Sequence, residues 1–252
     1  ALNNWGDKYT DRELTGMAQQ IGSKLVLTDT LTYKKDSVAL YDAAFRIQKE
    51  DGKVIKVVDY PLYFRNVAKE KLPKEESKIY TWSANLSQSI NPGWVILLTP
   101  LVVAFFTFLR SRKKEPSTPT KIAFGLLISA LSVLVMVAAV HIGNNGAEKV
   151  SVWWLVANYG VITIGELFLS PMGLSVVSKL SPKNITSLMM GGWFLATSIG
   201  NKLSGVLASM WDSYENKANF FWINFSLLIF ATLLMFALVK ELNKVMKEKG
   251  IN

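Results

Sequence analysis

The sequence predicts an all-α membrane protein with five transmembrane helices and a small α+β segment ahead of them. Long apolar blocks follow one another after Ser83, short polar turns separate them, and basic residues concentrate at alternate turns. A helix needs about 20 apolar residues to cross a bilayer, and each block is long enough to do so. The residues before Ser83 are mixed and charged, which indicates a segment outside the bilayer.

The N-terminal third divides into a short polar stretch, residues 1–15, and a charged segment, residues 16–80. We expect residues 16–80 to form a small α+β insert. Two runs, Ala43–Ile47 and Lys53–Val58, flank Glu50–Gly52, and β-branched or aromatic runs around such a turn are typical of a β-hairpin. Two further elements are expected in the insert: a strand at Leu25–Leu27 and a helix that starts within Ser37–Ala44.

Residues 81–252 form the predicted membrane domain with its C-terminal tail. The five predicted spans are Ser83–Leu109, Ile122–Ile142, Val152–Val177, Ile185–Trp211 and Phe220–Val239. The fourth span contains four glycines, which lower its helix propensity. In a membrane, small residues let helices approach closely. The fourth span is therefore predicted to pack inside a helix bundle.

The distribution of Lys and Arg predicts the orientation of these spans. Five basic residues lie in Arg110–Lys121, two in Lys179–Lys183 and four in the tail from Lys240. The opposing turns, Gly143–Val150 and Asp212–Ala218, hold one each. Basic residues favour cytoplasmic loops, whereas long loops cross largely regardless of charge. We expect a cytoplasmic C-terminus and an insert outside the membrane.

Composition excludes several classes of function. The chain has no cysteine and a single histidine, so thiol chemistry and a Cys- or His-based metal site are not expected. The net charge is +9, but the basic residues form no nucleic-acid-binding pattern, and the bilayer is the expected partner instead. No Walker-type phosphate loop and no nucleophile–base constellation is present, so no enzyme, no catalytic residue and no cofactor is expected.

Glu166 is the most informative residue of the predicted spans. It lies near the middle of the third span among apolar residues. A carboxyl group at that depth costs at least about 2.5–3.5 kcal/mol, so it should face a water-filled cavity or a partner. It can bind an ammonium group or carry a proton, or it can serve only as a hydrogen bond between helices.

Three other polar or aromatic residues are candidates with structural alternatives. Ser170 lies one turn after the glutamate, and Pro171 can bend the helix beside it. Asn91, next to Pro92, could line a cavity or could only satisfy backbone freed by the proline. Trp193 could form the wall of a pocket, although membrane tryptophans more often lie at interfaces or in packing.

The stretch Gly165–Ser175, GELFLSPMGLS, resembles the tenth-helix signature of the proton-coupled oligopeptide transporter family, which has the major facilitator fold. Further segments resemble the same family in its order and spacing: Ala1–Asp7, Gln88–Pro92, Lys114–Lys121, Lys179–Pro182, Met189–Leu195 and Gly200–Gly205. The resemblance implies helices eight to twelve of a twelve-helix transporter. Residues 1–15 would then be the end of a truncated seventh helix and its exit.

The resemblance also implies roles for individual residues. Glu166 corresponds to a glutamate that contacts the amino terminus of the peptide and takes part in proton coupling. Asn91, Ser170 and Trp193 correspond to residues that line the peptide cavity. The family's first-helix motif is absent, so much of the coupling machinery is expected in an N-terminal six-helix bundle that is missing here. The chain starts with Ala and is expected to be part of a longer protein.

The implied activity is import of di- and tripeptides by proton symport and alternating access, across a bacterial inner membrane and driven by the proton gradient. A related symporter for another small solute, such as nitrate or a modified peptide, is an alternative. A second alternative is a non-transporting membrane scaffold or receptor whose insert binds a partner. The chain by itself is not expected to transport.

Overall fold

The structure is a computed structural model that describes residues 2–25, 27–42 and 45–248. Its helices are α1 (Leu2–Lys8), α2 (Gly16–Lys24), α3 (Ile90–Ser111), α4 (Thr118–Ile142), α5 (Trp153–Leu180), α6 (Thr186–Ser209) and α7 (Lys217–Glu248). Its strands are β1 (Thr10–Asp11), β2 (Thr28–Thr32), β3 (Asp36–Ala39), β4 (Lys49–Glu50), β5 (Lys53–Val54), β6 (Lys56–Asp59), β7 (Lys78–Trp82) and β8 (Val150–Ser151).

The chain divides into two compact units. The mixed unit consists of Ala1–Ile90, Ala138–Val156 and Trp211–Ala218, and the helical unit consists of Asn91–Val137, Ala157–Met210 and Asn219–Asn252. The mixed unit therefore combines the N-terminal third with two later segments, which precede and follow long helices.

The described residues of the mixed unit form four strand pairs. The pairs β2–β7, β3–β6 and β4–β5 are antiparallel, whereas β1 and β8 are parallel. Asp51 and Gly52 connect β4 to β5 with φ values of 50° and 77°. Two consecutive residues with positive φ give the turn that matches the twist of a hairpin. The predicted hairpin turn is present there, with strands of two residues each.

The predicted helix start within Ser37–Ala44 is wrong for the first residues of that range, and Ala43 and Ala44 lie outside the described residues. Ser37 and Val38 belong to β3, where they pair with Val58 and Val57. β-branched residues facing one another across two strands favour pairing over a helical turn. The expected strand at Leu25–Leu27 and the expected hairpin arm at Ala43–Ile47 both include residues that lie outside the described ranges.

Two apolar clusters stabilise the mixed unit. Tyr63, Phe64 and Ile79 are buried together, with partly buried neighbours that include Leu31 and Tyr33. A second cluster is aromatic and joins distant parts of the sequence. Within it the ring of Trp5 stacks on Tyr9 at 4.8 Å between centroids and meets Trp211 edge-on at 6.4 Å.

Four described helical segments are long and apolar enough to cross a membrane. These are Leu86–Ser111, Thr118–Ile142, Trp153–Leu180 and Lys217–Glu248. The predicted fourth span is also a continuous helix, α6, but its mean hydropathy is too low for it to be counted with these four segments. The polar residues Asn201 and Lys202 lie in the C-terminal half of α6 and lower its mean hydropathy. Length and composition thus support four spans, and the fifth is not established by them.

The start of α3 shows how Pro92 is accommodated. A 3₁₀ helix over Ala84–Ser89 leads directly into α3, so Pro92 occupies the first α-helical turn. Backbone N–H groups in the first turn have no intrahelical acceptor, and a proline there loses no hydrogen bond. Pro92 therefore begins the helix and does not interrupt it.

Close approach of α4 and α5 positions the middle of α5. A Cβ atom added at Gly125 would lie 2.9 Å from the backbone oxygen of Gly165. Only glycine leaves the backbones this close, as is common where membrane helices pack. Gly165 immediately precedes Glu166, so the packing fixes α5 at the position of the candidate site.

Candidate functional site

The carboxylate of Glu166 has an amide partner on a neighbouring helix. Asn91 Nδ2 donates a hydrogen bond to Glu166 Oε2 at 3.1 Å. Both side chains are half-buried. The structure therefore brings together two of the four residues predicted from the sequence. Asn91 joins α3 to α5 through this contact.

Thr163 extends this contact and was not predicted from the sequence. Its side chain is fully buried, and its Oγ1 lies 3.1 Å from Asn91 Oδ1 and 2.6 Å from the backbone oxygen of Tyr159. When the hydroxyl donates to Asn91 Oδ1, the Asn91 amide is held with Nδ2 toward Glu166. The sequence could have indicated this residue through its spacing, because Thr163 precedes Glu166 by three residues and lies on the same helix face.

Ser170 lies one turn beyond Glu166 on α5 and is exposed. Its hydroxyl makes no hydrogen bond to another part of the chain that the structure describes. It therefore lies on the same helix face as Glu166 without a hydrogen bond to Glu166 or Asn91. α5 continues through Pro171, which lacks the N–H that would bond to the carbonyl of Leu167.

Trp193 on α6 packs against α5 at Gly173. A Cβ atom added at Gly173 would overlap the six-membered ring of the indole, so the absence of a side chain at Gly173 is what admits Trp193. Gly173 is buried and Trp193 is half-buried. The indole is thus held against the lower part of the same helix that carries Glu166.

Two of the four predicted residues, Glu166 and Ser170, lie on one stripe of α5, and the other two contact this stripe from α3 and α6. Glu166, Ser170 and Gly173 have the spacing i, i+4 and i+7, which places them on one face over about 10 Å of helix axis. Asn91 contacts the upper end of this stripe, and Trp193 covers the lower end. A carboxylate, a hydroxyl and an aromatic wall in this order can receive an ammonium group beside an apolar side chain.

No cluster of three or more His, Cys, Asp or Glu side chains suited to a metal ion occurs in residues 2–25, 27–42 and 45–248. The chemistry that these residues offer is ion pairing, hydrogen bonding and proton binding at a carboxylate.

Long apolar helices that hold a carboxylate at mid-helix beside an amide from the start of a neighbouring helix define a polytopic membrane protein with a polar site in its bundle. The sequence model of the POT family matches residues 75–223, more than half of the chain. The chain belongs to the POT family, which is the transporter family that the residues of α5 resemble, and it is not an enzyme. Peptide transport by proton symport is characteristic of this family.

Relatives and solved structures agree with this assignment. The chain is 36% identical over 132 residues to dipeptide and tripeptide permease A of Proteus mirabilis, a match that covers 52% of the chain and 26% of the permease. It is 40% identical over 121 residues to the peptide transporter YePEPT of Yersinia enterocolitica, covering 48% of the chain and 24% of that transporter. A crystal structure of a peptide transporter POT in complex with sulfate superposes with a TM-score of 0.59 at 31% identity, over 66% of this chain and 33% of that one. The chain thus spans about a quarter of the length of the curated relatives that it matches.

Proposed function

We propose that this chain is the C-terminal half of a secondary transporter that imports di- and tripeptides together with protons by alternating access. The observation that carries the proposal is the hydrogen bond between Asn91 on α3 and Glu166 on α5. Both residues lie within the family match. A carboxylate at membrane depth is costly unless it has a partner. A substrate ammonium group and a proton are the two partners that would link binding to coupling.

Glu166 can link the two events because either cation can satisfy the same carboxylate. With peptide bound, the ammonium group pairs with Glu166, and Asn91 keeps the carboxylate in place through Oε2. In symport the proton enters with the peptide, so the arriving ammonium group displaces the proton from Glu166 to another group of the intact transporter, and both cargoes leave on the inner side. The empty carrier then returns with Glu166 ionised and held by the hydrogen bond from Asn91. Ser170 and Trp193 would contact the rest of the peptide further along α5.

The proposed transporter has α3 to α7 as five transmembrane helices, equivalent to helices eight to twelve. α6 is included because a helix that lines a polar cavity can carry residues such as Asn201 and Lys202. The Lys and Arg distribution supports a cytoplasmic C-terminus and an insert, residues 16–80, on the outer side of the membrane, which would be a bacterial inner membrane. The substrate would lie between this half and an N-terminal six-helix bundle of the same protein.

The test is uptake of a labelled dipeptide by liposomes that contain the intact parent protein. We expect wild type to accumulate dipeptide under an inward proton gradient and Glu166→Gln to accumulate none, because the amide can neither carry a proton nor pair with an ammonium group. Glu241→Gln, which removes an exposed glutamate from α7, is the matched control and should behave as wild type.

Three results would contradict parts of the proposal. Wild-type uptake by folded Glu166→Gln would make Glu166 structural. Transport of nitrate or a modified peptide in place of dipeptides would change the substrate class. Absence of transport for every solute, with capture of a partner by residues 16–80, would indicate a scaffold or receptor.

A further inference from the structure

The mixed unit contains a cavity of about 530 Å³ that shares no residue with the Glu166 site. Its lining includes Tyr9 and Phe45, two arginines, and the acidic residues Asp42 and Glu215. Sites for small ligands have volumes of about 300–1,000 Å³ and combine apolar walls with a few placed polar groups. Volume and composition therefore make the cavity suitable for a small charged ligand.

Tyr9 supplies an unused hydrogen-bond donor at this cavity. Only 2% of Tyr9 is exposed, and its hydroxyl makes no hydrogen bond among the described residues. The ring lies against Gly146, where a Cβ atom would overlap it. Burial, with a further contribution from Asp212 and Asp42, raises the pKa of Tyr9 to about 12. The hydroxyl therefore keeps its proton at neutral pH and can donate it to an anionic group.

Arg65 supplies an unpaired cation. Its guanidinium donates to the backbone oxygen of Tyr41 at 3.1 Å and lies 5.1 Å from the centroid of the Phe45 ring. No carboxylate pairs with it in the described part of the chain. Arg46, which also lines the cavity, differs because Asp42 binds its Nε at 2.6 Å. Arg46 is thus paired with a carboxylate, whereas Arg65 contacts only a ring and one carbonyl oxygen among the described residues. The guanidinium of Arg65 therefore has further N–H groups that can donate to a ligand.

Glu215 supplies the opposite charge at the same cavity. Its side chain is exposed and forms no ion pair with residues that the structure describes. Its backbone is held, because Asn145 Nδ2 donates to the Glu215 carbonyl oxygen at 2.8 Å. Asn145 also accepts a hydrogen bond from the backbone N–H of Lys217 at 2.7 Å. The carboxylate therefore projects from a fixed loop.

We propose that this cavity binds a zwitterion of amino-acid to dipeptide size, with its carboxylate on Arg65 and Tyr9 and its ammonium group on Glu215. Arginine with a neutral hydroxyl donor favours a carboxylate through charge-assisted hydrogen bonds. Phe45 and the Tyr9 ring provide the apolar surface for the body of the ligand. Binding at this site does not require transport, so the proposal stands apart from the role of Glu166.

The experiment is calorimetric titration of this chain in lipid nanodiscs with alanine, dialanine, dialanine amide and N-acetyl-dialanine. All proteins carry Glu166→Gln, which removes binding at the membrane carboxylate. We expect saturable binding of alanine, dialanine or both, and these two arms separate an amino acid from a peptide. The amide and the acetylated peptide should bind at least about tenfold more weakly, since each lacks one charge-assisted contact.

Variants test the assigned residues. Arg65→Gln should weaken binding about tenfold or more, and Tyr9→Phe, which keeps the ring, should weaken it several-fold. Arg112→Gln is the matched control, because Arg112 also lies over a phenylalanine ring, Phe108, at 4.5 Å but away from the cavity lining. It should leave binding unchanged.

Several outcomes would overturn the proposal. These are no saturable binding up to millimolar ligand, equal binding of the amide or the acetylated peptide, and equal affinities for Arg65→Gln and Arg112→Gln. If Arg65→Gln fails to fold, Tyr9→Phe decides, and unchanged affinity in that variant would also refute the site.

Discussion

At the scale of residues, Glu166 has a defined orientation because two further side chains restrict it. Thr163 Oγ1 lies 3.1 Å from Asn91 Oδ1, and Asn91 Nδ2 donates to one carboxylate oxygen of Glu166. The second oxygen is left for a proton or a substrate. A hydrogen bond to a charged group is worth about 1.5–3 kcal/mol, which is enough to favour one carboxylate rotamer over another.

Gly173 offers a direct test of the contact between α5 and Trp193. We expect Gly173→Ala to lower the free energy of unfolding of the chain in detergent by about 1–3 kcal/mol, because overpacking forces the indole or a helix to move. In the intact transporter the same change should raise the KM for dipeptides. The measurement is denaturant unfolding, followed by uptake kinetics.

The control for this prediction is Gly192→Ala on α6, next to Trp193. A Cβ atom at Gly192 meets no described atom within 4 Å. Replacing a helical glycine with alanine should therefore be neutral or stabilise α6 by up to about 1 kcal/mol. Equal unfolding of both variants would show that the packing of Trp193 on Gly173 does not constrain the helices.

Sequence reasoning found the polar residues of the site more readily than their contacts. Glu166 and Asn91 stand out because ionisable and amide groups are costly in apolar spans. Thr163 does not stand out, since a threonine can satisfy its hydroxyl within its own helix, as the 2.6 Å contact with Tyr159 shows. Its second contact, with Asn91, depends on how α3 packs against α5. The roles of the four predicted residues in substrate binding stay predictions.

At the scale of elements, the connection between α3 and α4 is held by one carboxylate and two cations. Glu115 Oε2 accepts from Arg110 Nε at 2.6 Å, and its Oε1 accepts from Lys121 Nζ at 2.5 Å. Lys121 is buried and also lies 4.4 Å from the centroid of the Phe106 ring. Hydrogen bonds from Arg110 and Lys121 lower the pKa of Glu115 from 4.5 to about 2.

This cluster predicts a pH dependence of stability. Because the pKa of Glu115 is lowered on folding, its contribution is present above about pH 4.5 and is lost as the pH falls toward 2. We expect Glu115→Gln to lower the free energy of unfolding at pH 7 by about 1–3 kcal/mol, because Lys121 is left buried without its anion. The variant should also lose less stability than wild type between pH 5 and pH 2.

The measurement is unfolding of the chain in detergent at several pH values. Glu70→Gln serves as the comparison, since Glu70 is exposed and has no ion pair among the described residues. Parallel pH profiles for wild type and Glu115→Gln would show that the cluster does not contribute.

The elements differ in how far the sequence predicts them. α3, α4, α5 and α7 follow from long apolar runs, because membrane helices are specified mainly by their own hydropathy. α6 is harder to assign as a span, since its polar residues depend on neighbours outside the chain or across the bundle. β3 was predicted as a helix because its partner β6 is about twenty residues away along the chain, and strand pairing across such a gap leaves little local signal.

At the scale of the whole molecule, the proposed orientation places residues 16–80 and the C-terminal tail on opposite sides of the membrane. This chain contains no cysteine, so single cysteines introduced into it report their own position. We expect an impermeant maleimide to label Lys53→Cys in intact cells, and to label Lys244→Cys only after permeabilisation. Both positions are exposed in the structure.

The labelling is done in the intact parent protein with any cysteines outside this chain replaced. Uptake of dipeptide by both single-cysteine proteins is the control for correct assembly. The reverse labelling pattern would refute the orientation derived from the Lys and Arg distribution.

The mixed unit consists of segments that lie far apart along the chain, and this sets the order in which it can assemble during synthesis. Trp5 and Tyr9 leave the ribosome before α3 to α6, whereas their partner Trp211 follows only after these four helices have been made. The hydrogen bond from Lys217 to Asn145 likewise joins two late segments. Completion of this aromatic cluster therefore marks a chain in which four long helices have already been synthesised. A chain that stops before Trp211 would leave the cluster open to solvent and to proteases.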